Sequence, residues 1–212
     1  MKILEELRAL PSSDGQLSSF GAGAERIFVS VRADQEKLAK QLYEKYGPGI
    51  DITIGARPYP PGSKTTVDSP CPELTASDLP SGVRITVEPA SSSVATGANS
   101  KASVVIQNRS TTDYAGSQGS IVVVRPGTRT VVGTYFGPRD LVLRGFNAAA
   151  GGTAAYTDTY GTAPCGPGDG YTLPKGTYEI VATLAVPVPV TGVGTVTGVG
   201  TVVSEPARIE LT

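Results

Sequence analysis

Two cysteines, Cys71 and Cys165, are the only sulfur nucleophiles in this 212-residue chain. Cys71 lies in the Pro-rich stretch Ser69-Pro70-Cys71-Pro72, and Cys165 opens Cys165-Gly166-Pro167-Gly168-Asp169-Gly170. Neither belongs to a Cys-x-x-Cys pair, so nothing marks a dithiol redox centre. Two readings remain. The pair forms a disulfide tying a domain junction to a late loop, which places the chain in an oxidising compartment; or both thiols are free in a cytosolic protein. The disulfide is the expectation carried forward. Closing so long a loop adds about 4 kcal/mol in the chain-entropy picture.

Other chemistry is thin. The chain has no histidine and no tryptophan, which removes every mechanism that uses imidazole as acid, base or ligand. Two distant cysteines do not make a structural zinc site. Gly166-Pro167-Gly168-Asp169-Gly170 could offer oxygens to calcium, but no spaced Asp ladder accompanies it, so a tight loop is expected. Gly21-Ala22-Gly23 precedes a strand and lacks a third spaced glycine, so it does not read as a phosphate loop. Asn108-Arg109-Ser110 matches a glycosylation sequon, and chance accounts for it. Neither Ser-x-x-Lys nor Gly-x-Ser-x-Gly occurs, and no carboxylate pair stands out as acid and base. The expectation is therefore no catalytic, cofactor-binding or metal site.

A net charge of −1, with scattered Lys and Arg, gives no bulk attraction to nucleic acid. No run reaches the length of a membrane span; the longest apolar stretch, Ile180 to Val190, is broken by Thr183, Pro187 and Pro189. Charges interrupt the first ten residues, so they are not a signal peptide. With the disulfide, the expected setting is extracytoplasmic: a secreted or membrane-anchored ectodomain whose leader has been removed. Membrane attachment is expected only through a segment absent from this chain.

The elements that must position the cysteines follow from periodicity. Ile3, Leu4, Leu7 and Leu10 fall on one helical face, giving a short helix over 1–10, and 15–26 reads as a loop. Ile27–Val31 reads as a strand, Asp34 as an N-cap, and Leu38, Leu42 and Tyr46 recur at helical spacing until Gly47-Pro48 stops them. Ile50, Ile52 and Ile54 alternate with polar residues as a second strand. Residues 1–56 thus form a small β-α-β module, and 57–81, with Pro58, Pro60, Pro61, Pro70, Pro72 and Pro80, a stiff linker.

From 82 to 212 the period is two. Strands are predicted near 83–87, 102–107, 120–125, 130–135, 153–159, 177–186 and 199–211. Thr191–Val196 repeats at once as Thr197–Val202, lengthening a hairpin loop or strand; the apolar 187–200 stretch either pairs as a long hairpin or forms an exposed patch. Tyr114, Tyr135, Phe136, Phe146, Tyr156, Tyr160 and Tyr171 are expected as core or turn anchors rather than a ligand platform. Overall the fold is expected to mix an α+β part with an all-β part.

The stretch Val104–Val186 resembles a bacterial immunoglobulin-like module. The cues are the strand end Val104-Val105-Ile106-Gln107-Asn108, the turn Gly151-Gly152-Thr153, and Gly170-Tyr171-Thr172-Leu173-Pro174-Lys175-Gly176-Thr177-Tyr178 leading into Glu179–Leu184. Similar punctuation occurs in BsuPI-type proteinase-inhibitor domains. The resemblance implies an immunoglobulin-like β-sandwich over 82–212, with Tyr178 as a structural corner tyrosine whose hydroxyl bonds the main chain. The function implied is a non-catalytic binding or structural ectodomain, with another protein or an envelope component as partner. A proteinase inhibitor of BsuPI-like type is the alternative, and a carboxylate-based hydrolase a weaker one.

Overall fold

A computed structural model describes residues 2–9, 17–22, 26–55, 57–61, 71–75, 77–137, 144–166, 170–189 and 197–212. The protein is mostly β, in several sheets.

The N-terminal part holds α1 (Lys2–Ala9), β1 (Leu17–Ala22), β2 (Ile27–Val31), α2 (Glu36–Tyr46), β3 (Ile50–Ile54) and β4 (Arg57–Tyr59). The four strands form one sheet in the order β1-β2-β3-β4. β2 and β3 pair in parallel, with Val29 opposite Ile52 and Val31 opposite Ile54, and α2 makes the connection between them. These residues, Ile50, Leu7 of α1, and Ala39 and Leu42 of α2 form one buried cluster.

Several details differ from the sequence expectations. Residues 17–22 are not a loop: β1 pairs antiparallel with β2 and shields one edge of the short parallel pair. Asp34 does not cap α2. Its carboxylate receives two hydrogen bonds from the Arg32 guanidinium, at 3.1 and 2.6 Å, and Gln35 takes the N-cap position without a side-chain cap. Residues 57–59, predicted as the start of the linker, form β4 and pair with β3.

The larger part contains β5 (Val83–Pro89), β6 (Ser93–Val94), β7 (Asn99–Asn108), β8 (Tyr114–Val124), β9 (Val131–Thr134), β10 (Gly145–Ala148), β11 (Thr153–Gly161), β12 (Ala163–Pro164), β13 (Gly176–Pro189), β14 (Thr197–Val203) and β15 (Ala207–Leu211). One sheet runs β11-β7-β5; the other runs β12-β9-β8-β13-β15-β6, with β10 on β8 and β14 on β13. Ile85, Val87, Val104 and Ile106 from the first sheet meet Ile121, Val123, Ile180, Ala182, Leu184, Ile209 and Leu211 from the second in the main core. This is a β-sandwich-like arrangement, with alternate residues of each strand turned inward.

The expected strand at 199–211 is two strands. Ser204-Glu205-Pro206 separates them, and there the Glu205 N–H donates to Ile85 O of the opposite sheet at 2.8 Å. The described ends of the apolar 187–200 stretch pair antiparallel, with Pro187 opposite Val199 and Pro189 opposite Thr197. The second copy of the tandem repeat is therefore strand; the first, 191–196, lies outside the described residues.

Asn108 is fully buried at the end of β7. Its amide nitrogen donates to Thr112 O and Ala148 O at 2.8 Å and to Ala149 O at 3.2 Å, while Oδ1 accepts from the Ser110 N–H and hydroxyl. A sequon asparagine committed in this way is a structural pin and not a surface acceptor. Asn108→Ala leaves these buried groups unpaired and should cost about 2–3 kcal/mol. Arg84→Ala, at the exposed ion pair with Glu205, should change stability little. Denaturant unfolding of both variants checks the contrast.

Candidate binding groove beneath a tethered strap

Cys71 and Cys165 form a disulfide, with Cα atoms 4.8 Å apart and a sequence separation of 94. Cys165 is buried and its N–H donates to Val132 O at 3.1 Å, so the late loop is fixed to the second sheet beside β9. The bond draws the strap, residues 71–75 and 77–80, onto the outer face of the eight-stranded sheet.

That face is apolar. Val122 and Val124 of β8, Val131 following the β8–β9 turn and Val181 of β13 are buried there with Cys165. Cys71, Leu74, Phe136 and Val203 pack against them. Further along, the Ser77 N–H donates to Thr201 O of β14 at 2.7 Å, and Leu79 reaches the main core. The strap thus crosses from the outer face, past the edge of β14, to the interior.

Between strap and sheet lies a groove of about 430 Å³. Pro72, Glu73 and Leu74 form one wall, Thr134, Tyr135 and Phe136 another, and Ser120, Val122, Thr183 and Thr201 are the sheet residues that line it. The sheet is irregular here: the β13–β8 register shifts between Ala182 and Leu184. The extra residue is on β8, where Gly119 and Ser120 face the single Thr183; the Thr183 hydroxyl compensates by accepting from the Ser120 N–H and donating to Ser120 O, both at 3.0 Å. A bulge re-aims a side chain at the sheet surface, and this one sets Ser120 and the threonine bonded to it along the groove. The lining mixes hydroxyls, two aromatic rings and one carboxylate, Glu73. That set can hold a ligand by apolar contact and hydrogen bonding.

The same late loop receives the N-terminal part. The Arg57 guanidinium donates to Gly170 O and, at 3.2 Å, to Gly166 O. The Tyr171 hydroxyl donates to Pro58 O at 3.1 Å, and its ring lies 6.1 Å from that of Tyr59. Burial raises the Tyr171 pKa, assisted by Glu36 and Tyr59 and opposed by Arg57. Gly97, at φ +77°, faces Asp34 and Ala33 so closely that an added Cβ would lie 2.9 Å from the Asp34 nitrogen.

Of the residues singled out from sequence, the two cysteines meet and Tyr178 stands apart from them. Tyr178 lies in β13 opposite Ile209, half-buried against the main core. Asp169, in the loop weighed for calcium and read as a tight turn, lies outside the described residues, and no cluster of three potential metal ligands occurs among those described. The aromatic residues serve mainly as anchors: Phe146 and Tyr160 are buried in the main core, with Tyr114 and Tyr156 against it. Sequence reasoning missed Thr183, Tyr135 and Glu73 as groove residues; a threonine interrupting the apolar run 180–186 was the available signal for the first. No helix among the described residues is long and apolar enough to cross a membrane.

Comparison with known protein families, curated proteins and solved structures found no match to this chain.

Thr183→Val keeps the shape but removes both hydrogen bonds to the Ser120 backbone. It should lower stability by about 1–2 kcal/mol, whereas Thr183→Ser should restore most of the loss. Chemical unfolding of the two variants measures the difference.

Proposed function

We propose that this protein is a non-catalytic binding or structural ectodomain of an exported or envelope-anchored protein. In this reading a small β-α-β module is joined to an immunoglobulin-like sandwich, with Tyr178 as its corner tyrosine. The observation that carries it is the Cys71–Cys165 disulfide, because such bonds persist in oxidising compartments and are rare in the cytosol.

Two further features support a role in binding. The groove under the strap offers aromatic, hydroxyl and carboxylate groups without a paired acid and base. The acidic groups Glu6, Asp34, Asp51 and Glu205 are engaged in ion pairs with Lys45, Arg32, Arg26 and Arg84. Arg84 holds the Glu205 carboxyl below its ordinary pKa through their hydrogen bond. The partner in this reading is another protein or an envelope component.

The test is thiol trapping and cross-linking in intact producing cells. The expected result is a fully oxidised protein in the extracytoplasmic fraction, forming a cross-linked adduct of defined mass. A reduced, cytosolic pool would overturn the location; a protein that stays monomeric under all cross-linkers would overturn the binding role.

A further inference from the structure

The strap is held mainly by one covalent bond. Residues 71–75 and 77–80 carry no regular secondary structure, and of them only Cys71, Leu74 and Leu79 are half-buried; the rest are exposed. Apart from the disulfide, its attachments among the described residues are the Leu74 contacts, the Leu79 contacts, the Ser77–Thr201 hydrogen bond and a local turn bond from the Val83 N–H to Pro80 O. A net hydrogen bond is worth only about 1 kcal/mol, and two half-buried leucines must offset the entropy of ordering the whole segment. By contrast, Ile85, Ile106, Ile180 and Leu184 hold the sandwich together in a core that includes neither cysteine.

We propose that Cys71–Cys165 is a redox latch: two-electron reduction by a dithiol frees residues 71–75 and 77 from the outer face of the eight-stranded sheet and opens the groove, leaving the main core folded. The half-buried Cys71 is the point of attack, since Cys165 is buried. A reductant thiolate bonds to Cys71 Sγ, the bond to Cys165 breaks, and Cys165 departs as a thiolate that takes up a proton. The second reductant thiol, as its thiolate, then attacks the mixed disulfide. It closes the reductant's own disulfide and releases Cys71, which is protonated in turn. The protein gains two electrons and two protons, and the dithiol loses them.

Once free, the strap takes Leu74 away from the outer cluster that holds Val122 and Val181. The uncovered valines form an apolar patch on an otherwise folded domain, and low local stability of this kind is measurable by hydrogen exchange. The latch is a property of the isolated oxidised protein, so its test is independent of where the protein resides.

The experiment compares hydrogen exchange and binding of an apolar fluorescent dye for oxidised protein, protein treated with dithiothreitol, and Cys71→Ser without reductant. The latch predicts that the Ser77 amide exchanges about tenfold faster or more in the reduced and variant forms, and that dye fluorescence rises. Amides of β5, β7 and β13 should keep their protection, and reoxidation should reverse the change in the wild type. Unchanged protection at Ser77 after full reduction would overturn the latch, because packing would then suffice to hold the strap. Loss of protection in β5, β7 and β13 together with the strap would overturn it too, since the bond would then be a staple of the whole fold.

Discussion

Everything in this molecule converges on the late loop that begins at Cys165. Cys165 belongs to the outer cluster of the eight-stranded sheet, Tyr171 packs on the cluster of the N-terminal part, and Leu173 enters the main core. Nine positions of chain therefore touch three separate apolar clusters. The loop's described residues, 165–166 and 170–173, lie in neither helix nor strand, so they need outside anchors to hold such positions. The disulfide supplies one from the strap, and Arg57 supplies another by donating to Gly166 O and Gly170 O. A covalent tie across 94 positions acts chiefly by shrinking the unfolded ensemble. Its position at the meeting point of three clusters gives it a local structural consequence as well.

The strap answers a problem set by the strands beneath it. Ile121 and Val123 face the main core, while their neighbours Val122 and Val124 face outward and are still buried. Ile180 and Val181 divide in the same way. A sheet apolar on both faces needs a second cover. Here that cover includes an irregular strap and the aromatic ring of Phe136. Through Ser77 the strap also engages the edge of β14, where an unpaired strand would otherwise offer its backbone to another chain. The cover does not seal the face, and the groove is the space it leaves.

Much of this was legible in the residues. Alternation along 83–87 and 102–107 located the strands of the smaller sheet, and the spacing of Leu38, Leu42 and Tyr46 located α2, because one buried face imposes one period. The cysteine pairing followed from composition and placement. What escaped has physical reasons. β1 is a short strand, Leu17–Ala22, whose two large apolar residues, Leu17 and Phe20, stand three apart across a register shift, so no alternation of two marks it. Asp34 had a capping position but a nearer guanidinium two residues back took its carboxylate. The split at Ser204–Pro206 depends on a bond to the opposite sheet, which no local period encodes. The groove depends on a register shift at Thr183 and on a strap distant in sequence, so its residues share no motif. The run Ile121-Val122-Val123-Val124, apolar at every position, was the one local sign that the outer face is covered.

The account rests on the covalent tie between the strap and the late loop. Peptide mapping of the purified protein under non-reducing conditions tests it most directly. The prediction is a single linked pair of peptides, one containing Cys71 and the other Cys165, lighter by two hydrogens than the sum of the reduced peptides. Recovery of both cysteines as freely alkylated thiols would contradict it.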